Sequence, residues 1–146
     1  MPQALGVMFE LDPAFPATSR ALGDLALCHA RLQLDARHPW IVLIPRITGA
    51  VELQDLSGAD RGALMQEVVQ AGAAVRAIGE ALGRPVAKLN VGQLGNVTSQ
   101  LHVHVVGRRP DDAAWPGPVW GVGTAESYSD EVLERAVAAA RQVLAL

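Results

Sequence analysis

The sequence has few of the residues and patterns that mark several classes of protein. It contains one cysteine, Cys28, in 146 residues, which excludes an internal disulfide framework and favours a reducing compartment, the cytoplasm. Its formal net charge is −3, and no basic arm or stripe is present. Nucleic acid is therefore not expected as a partner, because binding to its phosphate backbone depends on clustered positive charge.

Long hydrophobic runs are also missing. No apolar run is long enough to span a bilayer, and the N-terminal residues lack the charged region and apolar core of a signal peptide. We therefore expect a soluble protein without a membrane partner. Half of the residues are hydrophobic, and the length suits one core, so the chain is predicted to form a single domain over residues 1–146.

Several stretches have the patterns of β-strands. Residues 25–34 alternate between polar and apolar side chains, and residues 40–45 form a continuous apolar run closed by proline; these patterns predict two strands that pair antiparallel. Residues 86–91 predict another short strand. The segment 7–11 predicts a strand or extended arm, and the prolines in residues 12–16 predict a loop after it.

Two helices are predicted. Ser57 and Asp60 have the spacing of a capping box, and Gly83 and Pro85 supply a stop. The apolar residues between them recur every three or four positions, as expected of a long helix with one face on a sheet; they are Leu64, Val68, Ala71, Val75, Ile78 and Leu82. Its glycines, Gly62, Gly72 and Gly79, either permit close approach or are merely tolerated. A final helix is predicted from Ser127 or Ser129 to about Leu144.

The stretch Ser99 to Arg108 places versatile side chains at a fixed spacing in a strand-like run. In an extended strand Gln100, His102 and His104 would share one face, and the apolar residues between them the other. Imidazole leaves a neutral nitrogen available near pH 7. The paired histidines are therefore a candidate site for covalent or acid–base chemistry.

A glycine-rich loop precedes this strand. Glycine lets backbone N–H groups converge on an anion, and Asn96, Thr98 and Ser99 add neutral donors, so the loop at 92–99 is a candidate phosphate cradle. A later loop, residues 111–121, holds Trp115 and is predicted to pack on its own domain or on a partner subunit. His29 is interpreted as a surface residue, whereas His38 could face the site or the solvent.

These features resemble the histidine triad superfamily. Leu101-His102-Val103-His104-Val105-Val106 matches the last two of the family's three histidines, and Gln100 stands at the position of the first. Trp40 to Arg46 resembles the family's apolar strand that ends in proline and a basic residue, and Trp115-Pro116-Gly117 resembles a tryptophan–proline element of some branches. The resemblance covers residues 25–121.

The resemblance implies a fold, an activity and a set of roles. The fold would be α+β, an antiparallel sheet of about five strands with a long central helix and a C-terminal helix, paired into a homodimer that Trp115 would contact. His102 matches the nucleophile of nucleotide hydrolases and transferases, His104 the histidine that contacts the phosphate, and Gln100 the first triad position. The phosphate-binding positions match Asn90, Asn96, Val97, Thr98 and Ser99. Asp35 matches a ribose-binding acid only approximately, and no metal or other cofactor is expected.

Three hypotheses follow from different classes of protein. The first is an enzyme that attacks the α-phosphate of a nucleoside phosphoramidate or dinucleoside polyphosphate through a nucleotidyl-histidine at His102. The second is a nucleotide-binding protein with little or no turnover, because Gln100 cannot transfer a proton as imidazole does. The third, a metal site at His102 and His104, is disfavoured because two arginines, and no carboxylate, follow before Asp111.

Overall fold

An antiparallel sheet of five strands is the centre of the structure. The computed structural model describes residues 8–146. The strands are β1 (Ser19–Asp24), β2 (Cys28–Gln33), β3 (Trp40–Pro45), β4 (Lys88–Gly92) and β5 (Val103–Arg108). The helices are α1 (Ala14–Thr18), α2 (Gly58–Ala81) and α3 (Asp130–Leu144), with a 3-10 turn at Leu53–Asp55. The strand order β1-β2-β3-β5-β4 and the two long helices confirm the predicted α+β class.

The two faces of the sheet carry different cores. One face packs against the two long helices, because α2 lies on β3 and β5 and α3 lies on α2 and β1. Val103 and Val105 belong to this helix-side core. The opposite face carries a second core, formed by Phe15, Trp40, Val42, Ile44, Val106 and Val119. We call this second face the histidine face, because His104 lies on it beside Val42.

Helix α2 begins and ends where the sequence predicts. Ser57 accepts a hydrogen bond from the backbone N–H of Asp60 at 3.1 Å, which satisfies one of the free donors at the helix start. Past the last turn Gly83 has φ +71°, a conformation in which glycine carries no steric cost. Five of the six predicted stripe residues are buried, which confirms that this face packs inward: Leu64, Val68, Ala71, Val75 and Ile78.

Helix α3 begins after Ser129, whose side chain accepts from the N–H of Val132 at 3.4 Å, and it ends at Leu144, as predicted. Its buried residues include Ala136, Val137 and Ala140. Among residues 8–146, no helix combines the length and the apolar character that crossing a membrane requires.

The N-terminal region differs from its prediction. Met8 to Leu11 form no strand, and Val7 lies outside the described residues. The loop expected at 12–16 contains the start of α1, where Pro16 is accommodated because N–H groups of a first helical turn have no partner within the helix. β1 was not predicted, since its sequence, SRALGD, lacks a regular alternation of polar and apolar residues.

The histidine-bearing strand is also shorter at its start than predicted. β5 begins at Val103, so Gln100 and His102 lie in the segment that leads into it. The hydrogen bonds that define a strand pair Val103 with Leu43 and His104 with Val42. β3 ends at Pro45. Because proline has no N–H to donate, it limits how far the pairing of β3 with β5 extends towards residue 101.

Two of the three glycines of α2 lie at close contacts. A Cβ on Gly79 would come within 2.7 Å of the carbonyl oxygen of Arg84 and 2.9 Å of Val86, and one on Gly72 within 2.8 Å of Leu89. Gly62 has nothing within 4 Å of that position. Gly72 and Gly79 therefore let neighbouring chain pass close to the helix, whereas Gly62 is a tolerated glycine.

This difference gives a paired stability test. We expect Gly79→Ala to lower the free energy of unfolding by about 1–3 kcal/mol, because a backbone carbonyl must move. Gly62→Ala should raise it by up to about 1 kcal/mol, because alanine is the better helix former. Urea unfolding of both variants measures the difference, and a stabilised Gly79→Ala would contradict the packing described here.

Candidate active site

His102 and His104 lie side by side on the histidine face. Their ring centroids are 4.9 Å apart and their planes are inclined by 76°. The side chain of Val103 between them is buried in the helix-side core. The predicted alternation therefore holds for this pair, although His102 precedes the strand.

A backbone carbonyl sets the tautomer of His102. Its Nδ1 lies 2.6 Å from the carbonyl oxygen of Gln100. A carbonyl only accepts, so Nδ1 carries the proton, and Nε2 of the neutral ring has a free lone pair. The edge of the ring packs against Phe15 at 4.9 Å, and the residue is 6% exposed. In the neutral form of this buried side chain, the lone pair is therefore on Nε2.

Two tryptophans surround His104. The indole Nε1 of Trp40 donates to its Nδ1 at 3.0 Å, and the ring of Trp120 lies 5.3 Å away in an edge arrangement. Burial and, to a smaller extent, the neighbouring His102 lower the pKa of His104 to about 4. His104 is therefore neutral at pH 7.

Gln100 is bonded to the N-terminal segment. Its Oε1 accepts from the backbone N–H of Asp12 and its Nε2 donates to the carbonyl of Glu10, both at 2.8 Å. This segment leads into α1, which carries Phe15 onto His102. Gln100 was predicted to line a groove with the histidines; its amide holds the N-terminal segment, and the residue lines the adjoining cleft.

A cleft of about 290 Å³ adjoins this arrangement. Residues 10–13 of the N-terminal segment form one wall, and residues 49–51 form another. Ser99 and Gln100, which lead directly into His102, complete the lining. His102 and His104 themselves are not among its lining residues.

Asn90 belongs to a buried network at the end of β5. Its Oδ1 accepts from Nη1 of Arg108 at 2.7 Å. Arg108 also pairs with Asp112, and both side chains are at most 2% exposed. Burial alone would raise the pKa of Asp112, but Arg108 and three backbone N–H groups hold it below its usual range. The Oδ1 of Asn90 is thus engaged by an arginine, and the group of this side chain that can donate to a phosphate is Nδ2.

Trp115 lies against the same network and remains partly exposed. The guanidinium carbon of Arg108 is 5.7 Å from its ring centroid, and 39% of the residue is exposed. The aromatic loop therefore packs on its own chain here. Trp120, the other tryptophan of the loop, packs against Trp40 and His104.

Asp35 is occupied by hydrogen bonds away from the histidines. Its carboxylate pairs with Arg37 at 2.8 Å and accepts from the N–H of Glu126. Burial opposes ionisation, but these hydrogen bonds lower its pKa overall. The ribose-binding role implied for Asp35 stays a prediction.

The predicted phosphate loop is largely open to solvent. Asn96, Val97 and Ser99 are exposed and Thr98 is half-buried. Gly95 has φ +81°, which glycine adopts without the clash of a Cβ. The loop leads directly to Gln100 and His102, so its exposed donors are accessible from solvent beside the histidine pair.

The other nucleophilic or basic side chains have separate surroundings. His29 is half-buried rather than fully exposed and pairs with Asp24 at 2.6 Å. His38 is 1% exposed, and burial lowers its pKa although Asp112 opposes the shift. Burial also raises the pKa of the Cys28 thiol, which therefore supplies no thiolate. Within residues 8–146, no group of three or more potential metal ligands is found.

Three contacts of the histidines were not predicted from the sequence. Phe15 comes from a short helix that carries no marked signal. Trp40 was assigned to a buried strand, but the register that brings it to His104 is not visible in the sequence. Trp120 was expected to pack, without a specified partner.

Comparisons with known proteins agree on the family. The model of the HIT domain family matches residues 15–111, which is more than half of the chain. The chain belongs to the histidine triad family. A search of curated proteins finds no match.

Solved structures of histidine triad proteins are similar over nearly the whole chain. A protein from Bradyrhizobium japonicum is 34% identical, with a TM-score of 0.87 and coverage of 94% of this chain and 98% of the other. One from Sinorhizobium meliloti is 36% identical, with a TM-score of 0.83 and coverage of 92% and 96%. One from Marinobacter aquaeolei is 33% identical, with a TM-score of 0.85 and coverage of 94% and 97%.

The lowered pKa of His104 predicts how stability depends on pH. The unfolded chain binds a proton at this residue below its ordinary pKa of about 6.5, whereas the folded protein does so only near 4. The free energy of unfolding is therefore highest above about pH 6.5 and falls as the pH is lowered towards 4. For this difference in pKa the loss is about 3 kcal/mol. Urea unfolding at pH 7 and pH 4 measures the change.

A neutral replacement serves as the control for this prediction. His104→Gln should lose less stability between the two pH values than the wild type. His38, whose pKa burial also lowers, should leave a smaller residual dependence in the variant. An equal loss in both proteins would contradict the assignment to His104.

Proposed function

We propose that this histidine triad protein hydrolyses or transfers the nucleoside monophosphate group of a nucleoside phosphoramidate or a dinucleoside polyphosphate. The observation that carries the proposal is the hydrogen bond from Nδ1 of His102 to the carbonyl of Gln100 at 2.6 Å. It leaves the lone pair of Nε2 as a nucleophile on a buried side chain. The family assignment supports a nucleotide as the ligand.

The reaction proceeds in two displacements. In the first, the lone pair of His102 Nε2 forms a bond to the α-phosphorus, and the P–N or P–O bond to the leaving group breaks. The leaving group keeps the electron pair and takes a proton from solvent. In the second, water attacks the phosphorus, the P–Nε2 bond breaks, and nucleoside monophosphate is released with a proton returned to solvent. When an alcohol or amine replaces water, the group is transferred.

The neighbouring residues would bind the phosphate. His104, which is neutral at pH 7, would contact its oxygens together with the side-chain donors of Asn96, Thr98 and Ser99 and the Val97 backbone. The side chain of Gln100 already holds the N-terminal segment, so we assign leaving-group protonation to solvent rather than to this residue. Asn90, whose Oδ1 accepts from Arg108, would donate to the phosphate from Nδ2. The proposal requires no metal or other cofactor.

Loss of the nucleophile tests the proposal. Wild-type protein is incubated with adenosine 5′-phosphoramidate and with a diadenosine polyphosphate, and release of adenosine monophosphate is followed. We expect His102→Ala to lower kcat at least about 10³-fold, because the covalent route is lost. Mass spectrometry of quenched wild-type protein should show an adenylyl group on His102.

His29→Ala is the matched control, because this histidine pairs with Asp24 and Arg31 and has no proposed role in the reaction. It should keep wild-type turnover. Turnover that survives in His102→Ala would refute covalent catalysis at this residue.

A nucleotide-binding protein without turnover is the second candidate. Two observations favour it: His102 is only 6% exposed, and Gln100 at the first triad position is bonded to backbone. Tight binding of adenosine monophosphate, with no product from either substrate and no adenylyl-histidine, would identify this function.

We also propose that two copies pair through the free edge of β4 and the adjacent face of α2. β4 is an edge strand, and such edges commonly pair with another chain unless they are protected. An apolar groove of about 470 Å³ lies between these elements. Met65 and Val91, which line it, are 61% and 54% exposed, and Trp115 is proposed as a further contact with the partner subunit.

Charged substitutions in the groove test the pairing. We expect Met65→Lys together with Val91→Lys to convert a dimer to a monomer in analytical ultracentrifugation, because burying two ammonium groups in an apolar contact is costly. Val143→Lys, at an exposed apolar position of α3 outside the groove, should leave the dimer intact. A wild-type protein that sediments as a monomer would contradict the proposal.

A further inference from the structure

Trp40 and His104 are joined by a hydrogen bond whose direction is fixed by chemistry. The indole Nε1 has a proton and no accepting lone pair in the ring plane, so it can only donate. It lies 3.0 Å from Nδ1 of His104, which must therefore accept. A neutral imidazole that accepts at Nδ1 carries its single proton on Nε2.

We propose that Trp40 is a positioning residue that holds His104 in the Nε2-protonated tautomer, so that His104 donates to the phosphate. The proposal rests on the proposed function, since it assigns how that same site binds a phosphoryl group. The new element is the role of Trp40, because the contact between His104 and the phosphate is already part of that function.

The sheet register brings Trp40 to this position. Trp40 pairs with Val106 and Val42 pairs with His104 on the adjacent strands, so Trp40 and His104 are diagonal neighbours on the histidine face. Such neighbours lie within reach of an aromatic side chain. Trp40 is 6% exposed, and its packing with Val42 and Val106 restricts the movement of the indole. The donor is thus held in place by the core of this face.

The two histidines are consequently held in opposite tautomers. His102 donates from Nδ1 to a carbonyl, which leaves a lone pair on Nε2, whereas His104 accepts at Nδ1, which leaves a proton on Nε2. One ring then offers a nucleophile and the other offers a donor, with ring centroids 4.9 Å apart. A phosphoryl group requires both, since its phosphorus is attacked while its oxygens carry negative charge.

The tautomer matters because His104 is neutral at pH 7. Its pKa of about 4, lowered by burial and by His102, means that the ring has one proton to place. With that proton on Nδ1, the Nε2 lone pair would face the negative oxygens of the phosphate. The hydrogen bond from Trp40 selects the favourable alternative without adding a charge to the buried site.

Removal of the indole N–H tests the proposal. Trp40→Phe keeps an aromatic ring and removes the donor. The second tryptophan beside His104 gives a matched control, because Nε1 of Trp120 is buried and has no hydrogen-bond partner within residues 8–146. Trp120→Phe therefore removes an indole N–H from the same neighbourhood but none that is bonded to His104.

The direct readout is ¹⁵N NMR of the histidine rings at neutral pH, assigned by comparison with His104→Gln. In the wild type and in Trp120→Phe, we expect a protonated Nε2 and an unprotonated Nδ1 at His104. In Trp40→Phe the signals should move towards a mixture of tautomers or towards Nδ1 protonation. A wild-type His104 with its proton on Nδ1 would overturn the proposal, and this result requires no variant to fold.

Kinetics provides a second readout. In Trp40→Phe we expect kcat for release of adenosine monophosphate to fall about 10- to 100-fold, since a preorganised donor to the phosphate is partly lost. In Trp120→Phe we expect a much smaller decrease in kcat. An unchanged tautomer in folded Trp40→Phe would also overturn the proposal. If neither the wild type nor a variant shows turnover, the proposed reaction is wrong. The NMR result still decides the role of Trp40 in that case.

Discussion

Side chains alternate along β5, so that packing residues lie on one face of the sheet and His104 lies on the other. Val103 and Val105 are buried against the helices, while His104 and Val106 lie on the opposite face. Because successive side chains of a strand alternate, the same segment can be held rigidly from one side and carry reactive groups on the other. The central position of β5 between β3 and β4 adds hydrogen bonds along both of its edges. The geometry of the histidine pair therefore depends on the packing of valines whose side chains lie on the opposite face of the sheet.

The histidine face differs from an open enzyme surface because it has a core of its own. Phe15 and Trp120 pack on the two imidazoles, and the second core continues beneath them through Val42 and Ile44. Removal of water strengthens each hydrogen bond that remains and disfavours a charged imidazole. Orientation by neutral partners, a carbonyl for His102 and an indole for His104, suits such an environment.

Local patterns predicted the regular part of this structure and much less of the site. The stripe of α2, the cap at Ser57 and the alternation around His104 depend on neighbours within a few positions, and the structure has all three. The partner of Trp40 could not be predicted, because the pairing of β3 with β5 joins residues 60 or more positions apart and its register is set by the whole sheet. The same holds for Asn90, which is bound by Arg108 18 positions away. Asp35 differs, because its partner Arg37 is only two positions away, a local contact that was not predicted.

The two hydrogen bonds of Gln100 also have a consequence for synthesis of the chain. They join residues 88 and 90 positions apart. At about 5–20 residues per second, Asp12 is made about 4–18 s before Gln100, and β5 follows later still. During that interval Phe15 is present without His102, the imidazole against which it packs. The enclosed environment of His102 therefore cannot form until residue 102 has been made, and a ribosome-bound fragment that ends at Gln100 lacks the imidazole against which Phe15 packs.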